Sequence, residues 1–307
     1  MSGGGPVGRF APSPTGRLHL GSLLAAVASY CQARSKSGQW LVRMEDLDPP
    51  RELSGAADDI LRTLEGFGFQ WDGEVLFQSS RHDRYAEALV ALKEGGCVYP
   101  CGCSRKEWYH LSAYPGTCRQ GLPPGRQRRL DRFRLSGRSW SWPDLFRGEE
   151  RFESASIADF PVLRADGFWA YQLAVVVDDR DQGITEVVRG ADLIDSTPGQ
   201  MDLWSALSIA EGVKPMPVYG HVPILQTLSG QKLSKQTLAR PIDVEEACAL
   251  IACVWRLLGQ SDSGAWSDAV EKGDPRGLMS LAVRLWMPEQ VPSEPIQLQG
   301  WGQDDKL

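Results

Sequence analysis

The sequence predicts an α/β fold of parallel βαβ units, interrupted by a small loop-rich insertion and followed by a short helical region. Three observations carry this. Short apolar strands alternate with amphipathic helices in two stretches, 1–96 and 139–242. Between them, over 97–138, the periodicity disappears and Cys, Gly, Pro and Arg dominate. Over 243–292 only helical patterns remain, and the tail 293–307 is expected to be weakly ordered.

Taken in order, "VGRF" at Val7–Phe10 reads as a strand, and a Pro- and Gly-rich turn leads from it into a helix beginning at Gly21. That helix turns Leu23, Leu24, Val27 and Tyr30 to one face. "QWLVRME" is a second strand, "LSGAADDILRTLEGFG" a helix capped by Ser54, and "RHDRYAEALVALKEGG" a helix capped by Ser79 or Ser80. Beyond the insertion, "FWAYQLAVVVDD" fits strand or helix equally by period. "GITEVVRG" is a strand, "TPGQMDLWSALSIAEG" a helix with Pro198 in its first turn, and "HVPILQ" a strand leading into the polar loop "TLSGQKLSKQT". "DVEEACALIACVWRLLG" and "LMSLAVRLWM" form two amphipathic helices at the end, and no internal repeat is visible.

A chain of 307 residues has room for about two domains and a sizeable core. Its 42% hydrophobic and 23% charged residues are ordinary for a globular protein, and no apolar run reaches the ~20 residues of a membrane span. The opening "MSGGGPVGRF" lacks the features of a signal peptide, so a cytoplasmic location is expected, with no membrane partner. The net charge is −6, unevenly spread. Nine basic residues in the insertion face only Glu107 and Asp131, a local +7 that leaves −13 elsewhere. Such a patch is either a solvated arginine-rich loop or a place where a polyanion docks.

Two short motifs carry the chemistry. In "RFAPSPTGRLHLGS" (Arg9–Ser22) a strand, a turn and a helix start place unpaired N–H groups at a helix N-terminus, a natural anion site. Gly21 permits close approach of a base or phosphate, and His19 can donate to a phosphate oxygen. Alone, His19 could equally satisfy the turn. "KLSK" places Lys232 and Lys235 on one loop with Gly230, where they can neutralise a departing pyrophosphate. Alone, that spacing is usually a solvated surface; the pair of motifs is far more specific.

Together they resemble the two ATP-binding signatures of class I aminoacyl-tRNA synthetases. "RFAPSPTGRLHLGS", "LVRMEDLDPPR", "YQLAVVVDDRDQGITEVVRGADLIDSTPGQ" and "HVPILQTLSGQKLSKQ" are similar, in the same order, to blocks of the glutamyl-tRNA synthetases. The likeness spans 7–242, with Ser22 and Gln236 at the two motif positions that depart from the pattern. It implies a Rossmann-like doubly wound parallel sheet. It also implies ATP contacts at Pro12, Ser13, His19, Gly21, Ser22 and Lys235, with His19, Lys232 and Lys235 assisting catalysis. The glutamate contacts implied are Arg9, Phe10, Ala11, Pro12, Ser13, Glu45, Tyr171 and Arg189. Arg9 and Arg189 would face carboxylate, Glu45 would accept the α-ammonium group, Tyr171 would wall the pocket, and Arg189 would separate glutamate from glutamine. The competing reading of Glu45 is a structural ion pair with Arg43 or Arg51.

Only about 65 residues follow Ile242, too few for the helical anticodon-binding region of a full-length glutamyl-tRNA synthetase. The shape resembles the family's truncated paralogues, which attach glutamate to the queuosine base in the anticodon of tRNA(Asp). L-glutamate, ATP with Mg2+ and queuosine-bearing tRNA(Asp) are then the expected partners, acting on a monomer. A 3′-end-charging enzyme and an inactive tRNA-binding paralogue are the alternatives.

Cys101, Cys103 and Cys118 cluster in the insertion, and in a cytosolic chain this points to metal before disulfide. Zinc takes four ligands, so His110, Tyr114 or a water completes the set; the paralogues' C-x-C…Y-x-x-x-C pattern lands on Tyr114. A structural Zn2+ ordering the basic module is expected, against three unmetallated thiols. Cys31, Cys248 and Cys253 fall on helical faces and read as core.

Overall fold

The computed structural model describes residues 4–111, 113–154, 158–228, 230–232 and 240–298. The first half runs β1 (Val7–Phe10), α1 (Leu20–Arg34), β2 (Gln39–Met44), α2 (Ala56–Gly66), β3 (Leu76–Phe77) and α3 (His82–Glu94). An antiparallel region follows: β4 (Val98–Cys101), β5 (Leu130–Phe133), β6 (Trp140–Asp144), β7 (Gly148–Phe152) and β8 (Phe160–Leu163). Then come α4 (Tyr171–Asp181), β9 (Glu186–Gly190), α5 (Thr197–Glu211), β10 (Val218–Val222) and β11 (Leu225–Thr227). The chain closes with α6 (Ala247–Leu257), α7 (Gly264–Glu271), α8 (Pro275–Leu285) and β12 (Ile296–Leu298).

Strands β1, β2 and β3 form a parallel ladder, and β9 and β10 form another. The two meet where β9 runs beside β1: the Thr185 N–H donates to Val7 O at 2.9 Å and the Val7 N–H to Thr185 Oγ1 at 2.9 Å. Strand order therefore reverses at β1/β9. In a doubly wound sheet such a switch point opens a crevice at the carboxyl ends of the strands, where ligands bind. Arg9 and Phe10, Glu45 just beyond β2, and Arg189 all sit at those ends.

Helix α1 covers the switch point and turns Leu23, Leu24, Val27 and Tyr30 inward, as its pattern predicts. It is pinned from outside by the C-terminal helices, whose Leu250, Ile251, Val254 and Trp255 join the same core cluster. Each fully buried Leu or Ile there contributes about 1.5–3 kcal/mol, so these helices buttress the crevice wall. Trp255 and Trp266 stack at 4.4 Å between ring centroids and lock α7 to α6.

Several local expectations need correction. Helix α2 is capped by Gly55 (φ +77°), a left-handed conformation that a serine would strain to adopt, so Ser54 lies one residue outside. Arg81, not Ser79 or Ser80, occupies the N-cap of α3. "FWAYQLAVVVDD" resolves to helix α4, and "HVPILQ" splits at Pro223 into β10 and β11 because proline cannot donate to a ladder. Three C-terminal helices replace the two expected; α7 carries too few apolar residues to show a clear period. Part of the tail is ordered, since Ile296–Leu298 pairs in parallel with β11. The antiparallel sheet of the insertion has the order β4-β5-β8, so its third strand comes from Phe160–Leu163, beyond residue 138.

Candidate active site

A cavity of about 410 Å³ opens at the switch point. Arg9, Phe10, Ala11, Pro12, Ser13, Glu45, Tyr171 and Arg189, the full expected glutamate-contact set, all line it. A second cavity of about 180 Å³ adjoins it through shared residues Ser22, Ala25 and Gly190. His19, Gly21, Ser22 and Lys232 meet there, although about 210 residues separate the two motifs. Pro12 and Ser13 line the first cavity and not the second. Lys235 lies outside the described residues.

His19 does two things at once. As the N-cap of α1 its Nδ1 accepts the Ser22 N–H at 3.3 Å, which fixes the ring at the cavity edge and leaves Nε2 as the ring's other polar atom. The turn-satisfying reading of this histidine therefore holds, and the same geometry sets its ring among the residues lining the second cavity. Lys232 Nζ pairs with Asp192 Oδ2 at 2.5 Å, and both residues line the second cavity.

In the first cavity, Arg9 is buried and its Nε donates to Asp179 Oδ1 at 3.1 Å, with Nη1 on Val188 O. Arg43, fully buried on β2, donates to the same Asp179 oxygen at 2.7 Å. Burial would raise the Asp179 carboxyl, but the two guanidiniums hold it below the ordinary range. Glu45 Oε1 stands 3.6 Å from Arg43 Nη2, so the structural ion pair with Arg43 exists, whereas Arg51 turns to Asp48. Burial outweighs Arg43 and Arg9 and pushes Glu45 up to about 7.

Arg189 is arranged otherwise. Its Nη1 donates to Gln200 Oε1 (2.8 Å) and Tyr171 Oη (3.4 Å), and its Nη2 to Thr197 Oγ1 (2.9 Å) and Leu193 O (3.4 Å). Its Nε donates to Nε2 of His221 (3.3 Å), the residue opposite it in the β9–β10 register. Every one of these acceptors is neutral, and Arg189 has no carboxylate partner among the described residues. An arginine nitrogen can only donate, so His221 Nε2 must accept and its proton sits on Nδ1. That Nδ1 lies 2.6 Å from Asp144 Oδ2, and Asp144 also accepts the His221 backbone N–H at 3.0 Å. Burial, with Arg189 nearby, keeps the imidazole pKa below its usual value despite Asp144.

His221, Asp144, Thr197, Gln200 and Asp179 are site residues that the sequence reading missed. "YGHVPIL" reads as plain core strand, and Asp144 is 77 positions away. The available signal was a histidine and a Thr-Pro helix start among otherwise apolar residues.

In the insertion, the sulfurs of Cys101, Cys103 and Cys118 lie within 4.8 Å of one another. Tyr114 Oη is 3.4 Å from Cys101 Sγ and accepts the Cys118 N–H at 2.9 Å, and it is buried. His110 is exposed and not part of the cluster. Arg126 Nη1 donates to Cys103 Sγ (3.1 Å) and Arg132 Nε to Cys101 Sγ (3.3 Å). Burial opposes ionisation of Cys101, but the bonds from Tyr114 and Arg132 bring its pKa below the ordinary thiol value. A buried S3O donor set with cationic hydrogen-bond donors behind it fits a structural Zn2+. Of the other cysteines, Cys31 is buried and Cys248 and Cys253 are half-buried.

Comparison with known proteins shows the family of the chain. Residues 7–114 and 125–248 match the family model of class I tRNA synthetases (E and Q), catalytic domain. The chain is 50% identical over 302 residues to the glutamyl-Q tRNA(Asp) synthetase of Chromobacterium violaceum, covering 95% of this chain and 97% of that one. It is 48% identical over 301 residues to the enzyme of the same name from Dechloromonas aromatica, covering 95% and 97%. A glutamate tRNA ligase from Elizabethkingia meningosepticum, solved with its amino acid, shares the fold at a TM-score of 0.76 and 22% identity, over 96% of this chain and 67% of that chain. With its switch-point crevice and paired cavities, the chain belongs to the class I tRNA synthetases (E and Q), among the glutamyl-Q tRNA(Asp) synthetases.

Proposed function

We propose that the protein activates L-glutamate with ATP and transfers it to the queuosine base in the anticodon of tRNA(Asp). The observation that carries the activation step is the junction of two cavities: buried Arg189, without a carboxylate partner among the described residues, in one, and His19 with Lys232 in the other. Glutamate would lie with its side-chain carboxylate on Arg189, its α-ammonium on ionised Glu45, and its α-carboxylate directed toward Ser22 and the ATP cavity. The α-carboxylate attacks the α-phosphorus and pyrophosphate leaves. His19 donates to the phosphate oxygens, and Lys232 and Lys235 neutralise the leaving charge, with Mg2+ accompanying ATP. A queuosine hydroxyl then attacks the glutamyl carbonyl, its proton is lost, and AMP leaves.

Cys101, Cys103, Tyr114 and Cys118 would hold Zn2+, which supplies only cross-linking of the insertion. Elemental analysis should find one zinc per chain, and chelation should lower the melting temperature. A metal-free chain with unchanged melting would contradict this. The acceptor rests on the relatives' names. It is tested with labelled glutamate, ATP and tRNA(Asp) with or without queuosine. Label that requires queuosine and survives periodate treatment of the 3′ end is expected; label confined to the 3′ adenosine would overturn the reading.

A further inference from the structure

The sequence leaves the insertion's basic patch open between a solvated loop and a polyanion-docking place, and the structure shows which of its cations are engaged. Six of its nine cationic residues are engaged internally. Arg119 binds Leu135 O and Asp159, Arg126 pairs with Glu107 and Cys103, and Arg128 pairs with Asp131. Arg132 holds Cys101 and Asp159 O, Arg134 binds Arg119 O, and Arg138 lies over the Trp140 ring. Arg105, Lys106 and Arg129 remain, all exposed and without a partner among the described residues. Two of these three line one groove.

That groove, about 600 Å³, is lined by Arg105 and Arg129 of the insertion together with Arg164–Asp166. Its three arginines outnumber Asp166, its single carboxylate. Arg164 also lines a narrower cavity of about 180 Å³ with Asp48, Arg51 and Trp169. That cavity in turn shares Ser13, Glu45 and Tyr171 with the glutamate cavity. A track of shared lining residues therefore runs from a cationic surface groove to the amino-acid site. At its waist Asp48 is shared by Arg51 and Arg164 (3.5 Å to the latter), beside the half-buried Trp169 ring. Cationic side chains followed by a narrow, aromatic-walled opening suit a nucleic acid strand, whose phosphates need charge and whose base needs a flat wall.

We infer that the acceptor RNA strand lies in this groove with backbone phosphates on Arg105 and Arg129, and that its acceptor nucleoside reaches the glutamate cavity through the Asp48–Arg51–Arg164–Trp169 opening. The inference rests on the function proposed above and adds the route and the residues. Most of the insertion's arginines are then scaffold, and RNA affinity is concentrated in a few side chains.

The test compares binding of queuosine-bearing tRNA(Asp) to the full chain and to the double variant Arg105→Ala/Arg129→Ala, across 50–200 mM KCl. Both side chains are exposed and without a partner among the described residues, so melting within about 2 °C of the parent is expected. The slope of log affinity against log salt should become shallower by about 1.4, at about 0.7 per single-strand phosphate contact. Affinity should fall at least tenfold at low salt. Arg151→Ala, an exposed arginine on β7 outside this track, serves as the charge-matched control and should bind as the parent does. Unchanged affinity and slope in the double variant, or equal weakening by Arg151→Ala, would overturn the inference. Failure of the queuosine-dependent labelling with this binding pattern intact would instead overturn the acceptor reading alone.

Discussion

On the β1–β2 side of the larger switch-point cavity, Arg9 and Arg43 both lean on Asp179, and Asp178 and Glu45 stand close to Arg43. On the β9–β10 side, Arg189 leans on His221, Gln200, Thr197, Tyr171 and one carbonyl, none of them charged. Burying a guanidinium is expensive, and a nearby carboxylate offsets most of the cost. The first wall takes that route and is electrically closed. The second satisfies the hydrogen bonds with dipoles and leaves the charge uncompensated. A wall of the first kind holds structure; a wall of the second kind waits for an anion. Tyr171 bridges them, since it both accepts from Arg189 and lines the cavity opposite Glu45.

The largest effect that can break this contrast is Asp179→Asn. It strips the shared carboxylate from two buried guanidiniums and should cost about 3–5 kcal/mol of stability, lowering the melting temperature by about 10 °C. Melting within 2 °C of the parent would mean that Asp178 and Glu45 suffice, and the first wall would not be closed by Asp179. On the second wall, Asp144→Asn removes the acceptor that fixes the His221 tautomer. Arg189 would lose its aligned partner, so the KM for glutamate in pyrophosphate exchange should rise about tenfold, or ~1.4 kcal/mol, with kcat within threefold. A fall in kcat at constant KM would assign the pair a different role.

An effect of the same size concerns pH. Glu45 in the free protein is pushed up to about 7 because burial, reinforced by Asp179 and Asp178, outweighs Arg43 and Arg9, which favour its charge. The α-ammonium group needs the ionised form, so binding must expel a proton below that pH. Apparent glutamate affinity should therefore weaken by about tenfold from pH 8 to pH 6. The sign for stability runs the same way in protons: a raised carboxyl pKa makes the native state bind more protons between about 4.5 and 7, so Glu45 favours folding less as pH rises through that window. A flat glutamate affinity across pH 6–8 would remove Glu45 as the ammonium acceptor.

Much of this site was legible in the sequence, and the limit has a physical form. His19, Gly21 and Lys232 carry motifs whose spacing implies a phosphate cradle, and they do meet around one cavity. Arg9, Glu45, Tyr171 and Arg189 stood out through a family resemblance and share another. His221, Asp144 and Asp179 did not stand out, because their role exists only where strands distant in sequence lie side by side. Local periodicity reports which face a residue occupies and says nothing about what it meets there. The insertion shows the same limit, since the sequence could not say which of its nine basic residues are paired, and three have no side-chain partner among the described residues.

The claim at the centre is that Arg189 is held uncompensated so that a carboxylate side chain, and not an amide, completes it. The direct measurement is the ratio of kcat/KM for glutamate to that for glutamine in pyrophosphate exchange, in the parent and in Arg189→Gln. The parent should prefer glutamate by about 10³ or more, because the amide leaves a buried charge unpaired. Arg189→Gln should lose about 3–5 kcal/mol on glutamate and bring the ratio within tenfold of unity. A parent ratio already near unity, or a ratio unchanged by the substitution, would contradict the account.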